Sequence, residues 1–300
     1  MLAFRRLSGE ACAMARPLPP PALNDAPVAP GLYVVATPIG NLRDITLRAL
    51  DILSAADLVL AEDTRVSGKL LAHFGLSAKL ERHDEHAAER ARPKALKVLA
   101  EGGRVALVSD AGTPLISDPG YRLVRAAAQA GHAVYPIPGA SALLAGLSVA
   151  GLPTDRFLFA GFPPPKSAAR RTFLEELAGL RATLVFFEGG SRLADSLADM
   201  AAVLGDREAV VCRELTKLHE TVVRGPLPAL AADPQFAAPK GEIVVLVAPG
   251  RETAASAADV DAALTDALTR LRPAEAAGEV AKALGLPRRD LYRRAMELKR

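Results

Sequence analysis

Short apolar segments alternate with helical patterns between residues 31 and 250, and this alternation limits what the chain can fold into. The first cycle is the apolar run Leu32 to Ala36, a turn from Thr37 to Asn41, and a helical pattern from about Thr46. Repeated strand, turn and helix predict a parallel or mostly parallel sheet that helices cover on both faces. We therefore expect an α/β fold.

The pattern divides the chain into two α/β domains and a helical C-terminal region. We expect the first domain over residues 31–152 and the second over 153–249, because Gly151-Leu152-Pro153 interrupts the alternation. A linker over 250–258 then precedes helical patterns over 259–300. Residues 1–30 are rich in Pro and lack apolar periodicity, so we expect a disordered tail there.

Composition excludes several classes of protein. Half of the 300 residues are hydrophobic, yet no run approaches the roughly 20 apolar residues that cross a bilayer, so we expect no membrane contact. Cys12 and Cys212 can form at most one bridge, which disfavours a disulfide scaffold and favours the cytoplasm. A net charge of +3 is too small to indicate nucleic-acid binding by itself.

The common phosphate-binding and catalytic motifs are missing from the sequence. Neither G-x-G-x-x-G after the first strand nor G-x-x-x-x-G-K-[ST] occurs, which disfavours a nicotinamide dehydrogenase and a P-loop kinase. The serines lack the nucleophile-elbow pattern of hydrolases. His83 and His86 are the only histidines with a spacing that could share a helix face, and a solvated polar loop explains them better than a metal site. We expect no metal.

Four turns after predicted strands are too rich in Gly, Pro and Asp to be simple connections. They are Thr37 to Leu42, Glu62 to Arg65, Ser109 to Gly120 and Pro136 to Ala142. Open α/β sheets hold their ligands at the carboxyl ends of strands, and glycine lets the backbone approach a ligand closely. The alternative for each single turn is a tight connection with a helix cap. Together the four turns predict a ligand-binding cleft.

Five segments resemble those of the ribosomal RNA small subunit methyltransferase I family, in the tetrapyrrole methylase class of S-adenosylmethionine enzymes. They are Val35 to Leu42, Ala61 to Arg65, Ser109 to Gly120, Pro138 to Ala142 and Arg213 to Lys217. The likeness covers about residues 31 to 250, and Ala276 to Leu298 resembles the helix-turn-helix-like C-terminus of the family.

The resemblance implies 2′-O-methylation of a decoding-centre cytidine of 16S ribosomal RNA in the small ribosomal subunit, by a homodimer. It implies that S-adenosylmethionine lies in the cleft between the two α/β domains, and that the turn after the first strand faces the substrate with Pro38, Gly40 and Asn41. The residues implied for the cofactor come from both domains: Ser109, Asp110, Ala111, Gly112, Ile116, Ser117, Ser141, Ala142, Phe162 and Leu215.

A neutral ribose hydroxyl is a poor nucleophile, so methyl transfer to it benefits from a base or from a cation near the developing alkoxide. Glu62 and Asp63 are the candidate bases, and Arg65 and Lys217 are candidate cationic partners for phosphate, with Lys217 also a catalytic candidate. The alternatives are a helix cap for Glu62-Asp63 and a solvated surface charge for Lys217.

Candidate RNA contacts lie mainly near the C-terminus. Arg289 and Arg293 share one face of a predicted basic amphipathic helix that suits phosphates. The alternative is a solvated helix end whose cations favour the helix dipole. A weaker basic patch comprises Lys166, Arg170 and Arg171. Two other functions remain open: a tetrapyrrole methyltransferase and a non-catalytic ribosome-associated binding protein.

Overall fold

A computed structural model describes residues 23, 24, 26–250 and 257–299. Most of the predicted tail and most of the predicted linker lie outside these residues. The chain divides into two compact units, of which the larger ends at residue 248 and the smaller comprises residues 178–181 and the chain from 249 onward. Within the described residues, no helix combines the length and the apolar character that crossing a membrane requires.

The first sheet of the larger unit is entirely parallel. Its strands are β1 (Gly31–Val35), β2 (Leu58–Ala61), β3 (Leu80–Arg82), β4 (Arg104–Val108) and β5 (Val134–Ile137). Their order is β3-β2-β4-β1-β5. The expected α/β fold is confirmed here. Strand β3 was not predicted, because its three residues, two of them half-buried and one exposed, carry no strand-like apolar run.

Helices cover both faces of this sheet, as the continuous apolar strands predicted. They are α1 (Leu47–Ala55), α2 (Thr64–His73), α3 (Ala88–Ala100) and α4 (Tyr121–Gln129). One buried cluster joins α1 and α2 to one face of the sheet through residues such as Leu53 and Leu71. A second joins α3 and α4 to the other face through Leu99 and Leu123. Because helices bury both faces, ligands can approach only the strand ends.

The second sheet is mixed, and only one of its two edge pairs is parallel. Its strands are β6 (Phe157–Phe159), β7 (Thr183–Gly189), β8 (Glu208–Arg213), β9 (Thr221–Pro226) and β10 (Glu242–Val247). Their order is β6-β7-β10-β8-β9, with β6 parallel to β7 and the other pairs antiparallel. The helices around it are α5 (Ala142–Ala150), α6 (Ser167–Ala178), α7 (Leu193–Leu204) and α8 (Leu227–Ala232).

Helix α5 follows β5 of the first sheet but packs on the second. Leu143 and Leu147 share a buried cluster with Cys212 of β8 and Val244 of β10. Gly146 lets the helix approach the sheet, because a Cβ at that position would lie 3.2 Å from the Val244 Cγ1. This packing places the start of α5 where the strand ends of the first sheet face the second sheet.

The smaller unit contains three helices with a core of their own. They are α9 (Ala257–Leu268), α10 (Pro273–Leu284) and α11 (Arg288–Leu298). Leu264, Val280 and Leu291 are buried together in that core. An ion pair of 2.6 Å between Arg294 and Asp261 joins α11 to α9. The predicted helical patterns are therefore present. Of the residues expected to form the apolar face of α11, Leu291 and Ala295 are buried, whereas Leu298 is exposed.

Candidate functional site

A cavity of about 270 Å³ lies between the carboxyl ends of the first sheet and one face of the second. Nine of the ten residues implied for the cofactor line it: Asp110, Ala111, Gly112, Ile116, Ser117, Ser141, Ala142, Phe162 and Leu215. They come from four separate stretches of sequence. The turns at the strand ends therefore converge on one site.

Ser109 is the tenth of those residues, and it lies behind the cavity wall. Its side chain is buried, and its hydroxyl approaches the Gly112 carbonyl oxygen at 3.2 Å. Its own carbonyl accepts a bond of 3.1 Å from the Thr37 hydroxyl. Ser109 is the first residue after β4 and still points into the packed interior, so its contribution is to hold the turn that carries Asp110 to Gly112.

Left-handed backbone shapes both walls of the cavity in the same way. In the first wall, Leu115 and Ser117 have φ values of 77° and 66° and flank Ile116. In the second, Glu214 and Thr216 have φ values of 53° and 66° and flank Leu215. Such values are costly for residues other than glycine and are concentrated at functional sites. Both central residues line the cavity.

Three carboxylates line the side of the cavity formed by the first sheet: Glu62, Asp110 and Asp118. Burial raises the pKa of Glu62, and the charge of Asp110 raises it further. Burial likewise raises the pKa of Asp118 to about 6, with Glu62 and Asp110 adding to the rise. Asp118 was within the Ser109 to Gly120 block but was not singled out from sequence. The three acids make this wall strongly electronegative.

Asp63 does not line the cavity. Its carboxylate caps α2 by accepting a bond of 2.8 Å from the Arg65 backbone N–H. It also forms an ion pair of 2.6 Å with the Arg65 guanidinium, and these bonds lower the pKa of Asp63 to about 2. The capping alternative therefore describes Asp63. Arg65 keeps 86 % of its side chain exposed, which leaves its outer face open to a ligand.

Lys217 lies beside the cavity and is held by two carboxylates. Its ammonium is 2.8 Å from Glu214 and 3.0 Å from Glu242, and Glu242 lines the cavity. Its stem lies over Gly40, where an added Cβ would be 2.9 Å from the Lys217 Cε. The side chain is therefore not the freely solvated charge of the alternative interpretation, and it joins the β1 turn to the second sheet.

The turn after β1 contributes one residue to the cavity, Ile39, which sequence reasoning did not select. Thr37 and Gly112 exchange backbone hydrogen bonds of 2.9 and 3.0 Å, which fix this turn against the one after β4. Pro38 is buried, whereas Asn41 is exposed and caps a short 3-10 helix through the Arg43 backbone N–H. Gly40 and Asn41 thus reach the surface, and Pro38 does not.

The second sheet supplies the remaining wall. Phe162 packs edge-to-face on Phe187, with ring centroids 5.7 Å apart. Sequence reasoning missed Phe187, Glu188, Glu242, Ile243 and Val244, all of which line the cavity, and also Thr113 of the first wall. Those five belong to strands that look like ordinary buried strands, and the face that they present depends on antiparallel pairing that the sequence does not reveal.

Glu188 is buried in a closed network. It accepts hydrogen bonds from the Ser196 hydroxyl and from the Gly189 backbone N–H, and it pairs with Arg192 at 2.6 Å. A buried charge needs such compensation. Its carboxylate is therefore occupied, although it borders the cavity.

The predicted basic patches differ in accessibility. Arg289 and Arg293 are both exposed on α11. In the weaker patch, Arg170 is only 3 % exposed and pairs with buried Asp199 at 2.7 Å, so it does not contribute a surface charge. Arg171 also pairs with Asp199 but is half exposed, and Lys166 is exposed. Arg170 therefore belongs to the core of this unit.

The two spaced histidines lie in different environments. His83 is 2 % exposed, and burial lowers its pKa, whereas His86 is exposed. Across residues 23, 24, 26–250 and 257–299, no three His, Cys, Asp or Glu side chains cluster in a way that could hold a metal ion.

Comparisons with known proteins agree with this architecture. The family model described as Tetrapyrrole (Corrin/Porphyrin) Methylases matches residues 31–231, and the model described as RsmI C-terminal HTH domain matches residues 254–299. A ribosomal RNA small subunit methyltransferase I of Mesorhizobium japonicum is 52 % identical over 276 residues, which are 91 % of this chain and 94 % of that protein. The chain belongs to the ribosomal RNA small subunit methyltransferase I family. The protein of that name from Erythrobacter litoralis is 56 % identical over 91 % of this chain and 97 % of its own length.

Solved structures support the fold of this ribosomal RNA small subunit methyltransferase I family member. The methyltransferase CobJ superposes with a TM-score of 0.56 at 21 % identity, over 73 % of this chain and 94 % of that one. Uroporphyrin-III-C-methyltransferase from Thermus thermophilus gives 0.51 at 22 % identity, over 72 % and 93 %. Both likenesses concern the fold alone.

Family membership implies a methyl donor of the S-adenosylmethionine type, and the cavity residues fit such a molecule. The donor carries a sulfonium and an ammonium, and the first wall supplies three carboxylates. Gly112, Ser141 and Ala142 leave room for close approach, while Phe162 and Leu215 supply apolar surface. The residues that line the cavity therefore suit a cation on one side and an apolar group on the other.

Proposed function

We propose that this chain transfers a methyl group from S-adenosylmethionine to the ribose 2′-oxygen of a decoding-centre cytidine in 16S ribosomal RNA. Family membership supports methyl transfer, and the names of the relatives supply the class of substrate, the ribosomal RNA of the small subunit. The ribose oxygen and the particular cytidine rest on the motif resemblance.

One observation carries the proposal: nine residues implied for the cofactor, from four separated segments, line a single cavity. Asp110 to Gly112, Ile116 with Ser117, and Ser141 with Ala142 would hold the cofactor from the first sheet and α5. Phe162 and Leu215 would hold it from the second sheet. When bound, S-adenosylmethionine supplies an electrophilic methyl group.

The residues of the chain contribute electrostatics, orientation and exclusion of water. Glu62, Asp110 and Asp118 create a negative wall that favours a cationic ligand. Ile116 and Leu215, each fixed between two left-handed residues, present apolar surface from opposite sides. A site closed to water and held in fixed geometry can supply most of the advantage of an in-line displacement.

The catalytic candidates take different parts in this proposal. Glu62 faces the cavity and contributes charge. Asp63 is occupied as the cap of α2, and we assign it a positioning role for Arg65. The Lys217 ammonium donates hydrogen bonds to Glu214 and Glu242. We propose that Lys217 positions the turn after β1 beside the cavity.

The RNA is proposed to meet exposed cations. Arg65 lies at the start of α2, two residues from the cap Asp63 and three from cavity-lining Glu62, and its exposed face can contact phosphate. Arg289 and Arg293 offer two further exposed cations on α11. Gly40 and Asn41, which reach the surface in the turn after β1, would also contact the substrate. We further propose that the protein acts in the cytoplasm as a homodimer.

A methyl-transfer assay tests the proposal. Labelled S-adenosylmethionine is incubated with the protein and small ribosomal subunits from a strain that lacks this gene, and binding of the cofactor is measured separately by calorimetry. The expected result is saturable cofactor binding and stoichiometric label in the RNA. Cofactor binding without RNA label would favour a tetrapyrrole acceptor, and absence of saturable heat would favour a non-catalytic binding protein.

A further inference from the structure

Asp118 differs from the other acids around the cavity in how its carboxylate is used. Asp110 accepts a hydrogen bond from the Asp63 backbone N–H, and Glu62 accepts one from the Asp110 backbone N–H. On the opposite wall, Glu188 and Glu242 are paired with Arg192 and Lys217. These four carboxylates therefore already serve the fold.

The Asp118 carboxylate interacts with the Ser109 hydroxyl. The Ser109 Oγ also lies 3.2 Å from the Gly112 carbonyl oxygen, so the single hydroxyl proton has two acceptors within reach. Among the ion pairs of the described residues, none includes Asp118. It also has no helix to cap, because α4 begins after Gly120. Asp118 is thus the cavity-lining acid, among the described residues, whose carboxylate takes part in neither an ion pair nor a hydrogen bond from a backbone N–H.

The backbone around Asp118 fixes its position. Ser117, directly before it, has the left-handed φ of 66°, and Gly120 has a φ of 136°. A Cβ on Gly120 would lie 2.7 Å from the Leu107 side chain and 3.0 Å from that of Leu115, so the turn is packed against β4. A group held this way can be aimed at a ligand without further ordering cost.

We propose that Asp118 is the catalytic base that accepts the proton of the ribose 2′-hydroxyl during methyl transfer. This inference rests on the proposed function. The 2′-oxygen forms a bond to the methyl carbon, the bond between that carbon and sulfur breaks with its electron pair left on sulfur, and the hydroxyl proton passes to the Asp118 carboxylate. The products are the methyl ether, a neutral thioether and protonated Asp118, which then releases its proton to water.

The charged groups around Asp118 favour this role near neutral pH. Burial and the facing charges of Glu62 and Asp110 raise the pKa of Asp118 to about 6. The acids of the opposite wall, Glu188 and Glu242, are neutralised by their cationic partners. Asp118 is therefore ionised at pH 7 and above, yet more basic than an ordinary aspartate, which suits a general base.

The test compares Asp118→Asn with the wild type and with Asp155→Asn, an exposed aspartate to which no role is assigned. We expect the single-turnover rate of Asp118→Asn at saturating cofactor to fall by about 100-fold or more. Its cofactor dissociation constant should rise by no more than about tenfold, as expected for the loss of one carboxylate from the negative wall, and saturating cofactor compensates for that rise. Asp155→Asn should match the wild type in both measurements. A rate within about threefold of wild type would overturn the proposal, as would a loss that saturating cofactor restores.

A second readout does not depend on turnover. In protein labelled with ¹³C at the aspartate carboxyl carbons, one resonance should titrate near pH 6 without cofactor or RNA, and it should vanish in Asp118→Asn. If that variant does not fold, Asp118→Glu retains the carboxylate. Its methyl-transfer rate should still fall at acidic pH, but the midpoint of that fall should differ from the wild-type midpoint. An unchanged midpoint, or the absence of a resonance that titrates near pH 6, contradicts the role. Absence of RNA methylation by the wild type would instead defeat the proposed function, and the resonance would still report on Asp118.

Discussion

The backbone N–H of Asp63 donates a hydrogen bond of 2.9 Å to the Asp110 carboxylate. Because Asp63 follows β2 and Asp110 follows β4, this bond ties together the ends of two neighbouring parallel strands at the cavity. The same carboxylate faces the cavity, so one side chain both orders the turn and sets the charge of the site.

Two substitutions of Asp110 separate those contributions. Asp110→Asn keeps an oxygen for the Asp63 N–H, so the free energy of unfolding should change by less than about 1 kcal/mol, while affinity for the cationic cofactor falls about tenfold. Asp110→Ala also removes the acceptor and should destabilise the fold by a further ~1 kcal/mol. Calorimetry and urea unfolding measure both effects. Equal cofactor affinity of wild type and Asp110→Asn would contradict the electrostatic role.

Gly40 and Lys217 should behave as a coupled pair. An added Cβ at Gly40 would overlap the Lys217 side chain and displace its ammonium from Glu214 and Glu242. Gly40→Ala should therefore lower methyl-transfer activity in the wild type but have little effect in a Lys217→Ala background. The double-mutant cycle should give a coupling of ~1 kcal/mol or more. Additive losses would show that the two residues act independently.

Arg170 should matter for stability and not for RNA binding. It is buried against Asp199 and donates to the Pro164 and Pro165 carbonyl oxygens. Arg170→Met leaves Asp199 buried with fewer partners and should cost about 3 kcal/mol of unfolding free energy. Arg171→Met, in which a half-exposed partner of the same carboxylate is removed, should cost ~1 kcal/mol or less. Similar urea midpoints for the two variants would disprove this distinction.

Stability should depend on pH through Asp118. Its pKa rises from an ordinary value of 3.8 to about 6 on folding, so the folded state disfavours the ionised form. The resulting destabilisation is absent below about pH 3.8 and fully present above about pH 6. The melting temperature of Asp118→Asn should thus exceed that of the wild type by more at pH 7.5 than at pH 4.5. A difference that does not change with pH would contradict this sign.

Removal of two exposed cations should change how RNA binding depends on salt. Arg289→Ala combined with Arg293→Ala removes two candidate phosphate contacts, so the slope of log affinity against log salt should fall by about 2. Arg125→Ala, which removes an exposed arginine of α4 with no assigned role, is the control and should leave the slope unchanged. Filter binding of small-subunit RNA at a series of salt concentrations, from low to moderate, measures this slope. An unchanged slope in the double variant would remove α11 from the RNA-binding surface.

The sequence was sufficient to predict the α/β fold and the turns that converge on the cavity. Continuous apolar runs reveal strands buried on both faces, and Gly, Pro and Asp after such runs reveal ligand-binding turns. Gly112 illustrates this: it has a φ of 82°, lines the cavity, and exchanges backbone hydrogen bonds with Thr37 in the turn after β1.

The second wall could not be predicted because it depends on how strands pair. Glu242 and Val244 project toward the cavity only because β10 runs antiparallel between β7 and β8. A register shift of one residue would turn the opposite face of that strand toward the site. Arg170 looked like a surface charge for a related reason: its burial follows from packing against Asp199, 29 residues further along the chain.

The chemical position of the transferred methyl group tests the central claim most directly. Small ribosomal subunits from a strain that lacks this gene are labelled with the purified protein and S-adenosylmethionine, and their RNA is hydrolysed in alkali. A 2′-O-methyl group blocks cleavage at its own nucleotide, so we predict that the label migrates with an alkali-resistant dinucleotide that yields 2′-O-methylcytidine on enzymatic digestion. Label in mononucleotides would place the methyl group on a base and would contradict the account.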